Sequence, residues 1–195
     1  MHALMNCHME AMTHILRYLK HTPGKGLIFE KHNHYRVEAY IVANWGSSLT
    51  DKRSTSGYYT LVDGNLVTWM SKKQHVVSYS STEAKFRAMA LGICELMWLN
   101  TLLKELHVKV DEPMRLYCDN KVAISIARNP VQHDRTKHVE IDQHFIKEKV
   151  DEGVICTSFV ASKSQLADVF TKALPSNIYS PLIDKLGMLD IFEPA

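Results

Sequence analysis

The chain of 195 residues is 46% hydrophobic and 23% charged, with 23 Lys and Arg against 21 Asp and Glu. That length buries one sizeable core, or one domain with a small appendage, and the ordinary composition excludes wholesale disorder, collagen and coiled-coil rods. A formal charge of +2 excludes holding nucleic acid by bulk charge alone, while leaving room for a local basic groove. No apolar run reaches the ~18 residues that span a bilayer, so no transmembrane helix and no membrane partner is expected. The start, MHALMNCHME, lacks the basic patch and apolar stretch of a signal peptide. Cys7, Cys94, Cys118 and Cys156 lie far apart with no Cys-x-x-Cys pair. They read as reduced, mostly buried thiols of an intracellular protein, cytoplasmic or nuclear and not secreted.

Leu4, Met5, Met9, Met12, Ile15, Leu16 and Leu19 recur at helical spacing over residues 4–20, and Thr22-Pro23-Gly24 stops that helix. The period then changes to two. Val37, Ala39 and Ile41 alternate with their neighbours and predict a first strand ending near Asn44-Trp45-Gly46. Two β-rich runs, Gly57 to Val62 and Leu66 to Met70, flank Asp63-Gly64-Asn65, a strong hairpin signal. Ser80-Ser81-Thr82-Glu83 opens a long helix to about Leu106, apolar on several sides and therefore expected against a sheet. A short strand at Arg115 to Cys118, a helix to Ala127, a helix over 138–151 and a strand from Val154 to Val160 follow. A last core helix is expected from Gln165 to Ala173, capped by Ser162 or Ser164, with a turn or two more around Tyr179 to Leu186. The order predicts an α/β domain with a mixed sheet flanked by helices.

Three acids stand where strands end or helices begin: Glu83, Asp119 and Asp168. Each has a structural reading. Ser80 and Glu83 match a capping box, Asp119 or Asn120 suits an N-cap, and Asp168 complements a helix dipole. Together they have a second reading, because Mg²⁺ takes a few carboxylates and two such ions ~4 Å apart hydrolyse phosphodiesters.

Six motifs carry a resemblance. Arg53-Ser54-Thr55-Ser56-Gly57-Tyr58, Trp69-Met70-Ser71-Lys72-Lys73-Gln74, Ser80-Ser81-Thr82-Glu83-Ala84, Tyr117-Cys118-Asp119-Asn120, Arg135-Thr136-Lys137-His138-Val139-Glu140 and the run from Gln165 to Lys172 stand in one order. That order resembles the ribonuclease H domain of copia-type retrotransposon polyproteins. The resemblance implies a ribonuclease H-like fold, a five-stranded mixed sheet flanked by helices, over residues 27–175. It implies a remnant of the reverse transcriptase over residues 1–26, whose missing body would cover the methionine stripe, and a tail with a short helix over 176–195. It further implies four carboxylates holding Mg²⁺ or Mn²⁺ to cleave the RNA strand of an RNA–DNA hybrid. Glu83, Asp119 and Asp168 match the second, third and fourth.

The first carboxylate does not match. The family pattern there is aspartate, alanine, aspartate, tryptophan, and this chain reads Val42-Ala43-Asn44-Trp45. An isopropyl group at Val42 coordinates nothing. Asn44 shares a face with position 42 in a regular strand, but its neutral amide holds a cation more weakly. Metal binding and hydrolysis are therefore expected to be weakened or lost, and a non-catalytic, co-opted binding module is the alternative. Lys72, Lys73, Arg135 and Lys137 are the expected contacts to hybrid phosphates, with Arg53 and Arg128 near the same edge. His133, His138, Asp142 and His144 cluster without a His-x-x-x-His pair, so packing or substrate-side contacts are expected there rather than zinc. Trp45 and Trp69 are expected in the core.

Overall fold

The computed structural model describes residues 5–21, 24–47, 50–128, 137–172, 174–190 and 192. The elements are α1 (Asn6–His21), β1 (Lys25–Leu27), β2 (Arg36–Asn44), β3 (Thr55–Val62), β4 (Asn65–Lys73), α2 (Ser81–Glu105), β5 (Asp111–Cys118), α3 (Lys121–Arg128), α4 (Lys137–Asp151), β6 (Ile155–Phe159), two 3-10 turns (Ser162–Ser164 and Leu166–Phe170), α5 (Ser176–Lys185) and β7 (Met188–Asp190). Strands β4-β3-β2-β5-β6 make one five-stranded sheet. β2, β3 and β4 run as an antiparallel meander, while β5 and β6 continue parallel to β2. The predicted mixed α/β sheet is present.

The meander turns where the sequence places it. Asp63 and Gly64 both hold positive φ, +50° and +75°, the conformation a two-residue hairpin of this hand needs. Alternation along β2 then splits two cores. Val37, Ala39 and Ile41 face α2, α3 and α4 in the larger cluster. Tyr40 and Val42 face the opposite side, where Leu166, Ala167, Leu182 and Ile183 of the second 3-10 turn and α5 close a smaller one.

Several expectations need correction. Within the predicted helix from Gln165 to Ala173 there is only a 3-10 turn, Leu166–Phe170, capped by Gln165 rather than by Ser162 or Ser164; extended backbone at Gln165 (φ −79°, ψ 94°) separates it from a first 3-10 turn at Ser162–Ser164. The Gln165 side chain is fully buried. Its Nε2 donates to the Ile41 carbonyl (3.0 Å) and its Oε1 accepts from Ala167 N–H (3.3 Å), which ties the chain down onto β2. β5 begins four residues early and includes Pro113; a register shift opposite it, between Arg36 and Glu38, absorbs the missing donor. Trp45 and Trp69 are more exposed than buried, and not in the core. The Trp45 indole donates to Ser78 O at 2.9 Å, and Trp69 stands on the sheet's outer strand, 6.5 Å from the Phe170 ring. The thiols divide rather than hide: Cys118 is buried, Cys156 half-buried and Cys94 exposed, all free, while the side chain of Cys7 lies outside the described residues. Helix α2 is long and apolar enough by length and composition to cross a membrane, against the expectation that nothing is. Its packing against β2, β3, β5 and two helices accounts for that apolarity.

The ends of the chain meet. β1 pairs antiparallel with β7, Gly26 opposite Leu189; three-residue strands are too short to show a period. α1, by contrast, presents Met9, Met12, Ile15, Leu16 and Leu19 to solvent.

Candidate functional site

Parallel pairing sets Ile41 of β2 beside Cys118 of β5. One residue further, Asp119 follows the end of β5, while Val42 is still within β2, opposite Gly57 of β3. Val42 is 0% exposed and belongs to the apolar cluster with Leu166 and Ala167. A Cβ added at Gly57 would stand 3.1 Å from Val42 Cγ1 and 2.5 Å from Thr171 Cγ2, so the isopropyl group is closely enclosed. Asn44 ends β2, half-buried, opposite Thr55.

Each acid carries a cationic partner from within the chain. Glu83, in the first turn of α2 and buried, accepts from Arg87 at 2.8 Å. Its N–H donates to the N-cap Ser80 Oγ (3.1 Å), but its carboxylate takes the N–H of Tyr79 (2.7 Å) rather than that of Ser80. The expected capping box is thus displaced by one residue. Asp119 lies 2.5 Å from the ammonium of Lys85, and the cap of α3 is Asn120, whose Oδ1 accepts from Ala123 N–H at 3.0 Å. Asp168 is the middle residue of the second 3-10 turn, with its Oδ1 2.9 Å from Lys172 Nζ. The angle there makes an ion pair without a hydrogen bond, since the same buried oxygen has no hydrogen-bond partner.

Residues 83 and 85 stand about 200° apart around a helix of 3.6 residues per turn. Lys85 turns toward β5, and Glu83 leaves on the side of Arg87 and α4. Asp142 of α4 feels both: burial pushes its carboxyl up, Arg87 pulls it down and Glu83 pushes it up again, with a net rise. Among the described residues no three His, Cys, Asp or Glu side chains gather into a group that could hold a metal ion. The residues present do not fit a divalent cation. One ligand position is a buried valine, Glu83 and Asp119 pair with side chains on different sides of α2, and each of the three acids is matched by a cation.

Lys72 and Lys73 end β4, both exposed. Lys73 lies 3.4 Å from Asp51, which also holds Arg53. Both lysines line a cavity of about 520 Å³ with His75, Arg87, Asp142 and Phe145. Arg128 is turned inward to the Thr157 carbonyl and hydroxyl. Arg135 and His133 lie outside the described residues, as do the side chains of Lys137 and His138; His144 is exposed on α4. Sequence reasoning missed Lys85, Arg87 and Lys172. The i,i+4 spacing of Glu83–Arg87 and Asp168–Lys172 was a readable signal. Nothing local linked Lys85 to Asp119.

No family model matches the chain. Among solved structures, LC11 ribonuclease H1 in complex with an RNA/DNA hybrid superimposes with a TM-score of 0.51 at 13% identity, covering 69% of this chain and 93% of that one. The likeness shows the fold: the chain is a ribonuclease H-like α/β domain. Sequence relatives place it further. The retrovirus-related Pol polyprotein from transposon RE1 of Arabidopsis thaliana is 38% identical over 188 residues, 96% of this chain. That from transposon TNT 1-94 of Nicotiana tabacum is 33% identical over 181 residues, 93% of it. The chain spans only 13% and 14% of the length of these two relatives. It belongs to the family of copia-type retrotransposon Pol polyproteins, as their ribonuclease H domain.

Proposed function

We propose that this chain is the nucleic-acid-binding ribonuclease H domain of a copia-type element, with hydrolysis of the RNA strand of a hybrid lost or severely reduced. One observation carries the reading. Position 42, where the family's first metal-binding aspartate is expected, is a fully buried valine sealed under the second 3-10 turn. Family members use Mg²⁺ or Mn²⁺ held by four carboxylates; here Glu83, Asp119 and Asp168 remain, each beside a cation. On this reading Lys72 and Lys73 contact phosphates of an RNA–DNA hybrid, with Arg135 and Lys137 completing the track. On this reading residues 1–26 correspond to the end of the reverse transcriptase of such a polyprotein, and the uncovered stripe of α1 supports that.

The test is a labelled RNA–DNA hybrid incubated with the protein and Mg²⁺ or Mn²⁺. The expected result is retention of the duplex without cleavage, with an affinity that falls steeply as salt rises. Cleavage by the wild type that disappears in Asp119→Asn overturns the loss of hydrolysis. A second reading, a co-opted interaction module, draws support from an intact fold around a formally neutral centre. Absence of hybrid affinity at low salt decides for it.

A further inference from the structure

We infer that the ammonium of Lys85 is a built-in cation standing where Asp119 would hold a divalent metal, so that the centre is neutralised by the chain itself and excludes the ion. The inference rests on reading Asp119 as the third family carboxylate, and it adds a blocking residue, distinct from the loss of a ligand at Val42.

Three observations support it. First, the side chain of Lys85 is 9% exposed and that of Asp119 13%. A lysine is almost never buried to that extent without a partner, and here the partner is a single carboxylate oxygen 2.5 Å away. Second, the pair is not a local convenience of one helix. Its members lie 34 residues apart, and the contact forms only when the N-terminus of α2 docks over the end of β5. Third, the charges balance. Arg87 and Lys172 stand against Glu83 and Asp168 as Lys85 does against Asp119. Each of these carboxylates is offset by its own cation, so none of the three positions keeps the uncompensated negative charge that would hold Mg²⁺.

The chemistry of the two cations makes them exclusive. A Mg²⁺ ion demands oxygen ligands at about 2.1 Å in near-octahedral array. An ammonium within hydrogen-bond distance of the same carboxylate occupies that volume and repels a second positive charge at short range. Lys85 is held there by burial as well as by charge: it is among the buried residues of α2, and its side chain is 9% exposed. Position 85 thus sets what Asp119 can bind. Restoring an aspartate at position 42 alone would leave the block in place.

The experiment is Mn²⁺ binding to the full chain without nucleic acid, read as loss of the free-ion electron paramagnetic resonance signal. Wild type, Lys85→Met, Lys85→Gln and Lys85→Met/Asp119→Asn are compared. Wild type is expected to show no saturable binding at millimolar Mn²⁺. Lys85→Met is expected to bind about 10-fold tighter or better, since one like charge has gone, and the double variant to return to the wild-type level. Lys85→Gln keeps a donor to Asp119 without the charge. It reports the same gain if Lys85→Met, with Asp119 left buried and unpaired, does not fold. Wild type binding Mn²⁺ as tightly as the position-85 variants overturns the inference, as does a gain that survives Asp119→Asn. Because no hybrid is present, either result leaves the hybrid-binding reading to its own assay.

Discussion

At the tip of the β3–β4 hairpin, Asp63 fastens the segment before β2. Its carboxylate accepts from the backbone N–H groups of His32 and His34, both at 3.1 Å, and the His34 ring stands 3.4 Å away. Desolvation pushes its pKa up, the two N–H donors and the imidazoles pull it further down, and the net direction is down. A carboxylate with a lowered folded pKa contributes stability that is present above its unfolded pKa and is lost as pH falls through the folded one. Asp63→Asn tolerates the positive φ but cannot be charged. Thermal melts are expected to show the variant less stable than wild type at neutral pH, with the gap closing as pH falls through the lowered carboxyl pKa. A constant gap across that range removes the charge from the explanation. The burial of Cys118 behind the same sheet edge as Asp119 pushes its thiol up to about 11, so it stays protonated and inert near neutral pH.

Among the elements, α2 positions the site, and Gly92 lets it lie close to the sheet. A Cβ at position 92 would come 2.6 Å from Ile41 Cγ2 and 3.1 Å from Leu116 Cδ1. On propensity alone, Gly92→Ala would gain up to about 1 kcal/mol. Forcing a methyl into packed neighbours costs about 1–3 kcal/mol, and Ile41 is a branched core side chain with no room to retreat. The overpacking is the larger effect. Urea unfolding is therefore expected to show Gly92→Ala destabilised by about 1 kcal/mol, and a stabilised variant would mean that α2 stands further from β2 than the structure has it. The same displacement would move Lys85 from Asp119, which links packing at the middle of α2 to the charge balance at its start.

At the scale of the molecule, the two ends of the chain behave differently. α5 and β7 are built into the fold: Leu182, Ile183 and Leu186 complete the cluster that encloses Val42, and β7 pairs with β1. Among the described residues, α1 contributes none to either cluster and leaves its methionine and leucine face in solvent. Removing residues 1–21 is expected to leave the melting temperature essentially unchanged and to lower self-association at high concentration, because an exposed apolar stripe is removed. Differential scanning calorimetry and light scattering check both. A drop of several degrees would show that α1 supports the fold after all.

Patterning in the chain was enough for the meander, the Asp63-Gly64 turn, the long helix and the mixed sheet, because alternation and helical periodicity report directly which face of an element is buried. Ordered motifs were enough for the family, and Val42 in place of an aspartate was visible without coordinates. What needed the tertiary structure was every feature that depends on residues distant in sequence. Gln165 reaching back to Ile41 converts an expected helix into a 3-10 turn, and β1 and β7 exist only as each other's partner. The carboxylates were legible as residues, but their surroundings were not. Lys85 reads in the sequence as one more polar position on a helix, and only the docking of α2 over β5 makes it the counter-charge of Asp119. Local sequence specifies which groups an element carries; the electrostatics of a site is set by which elements the fold brings together.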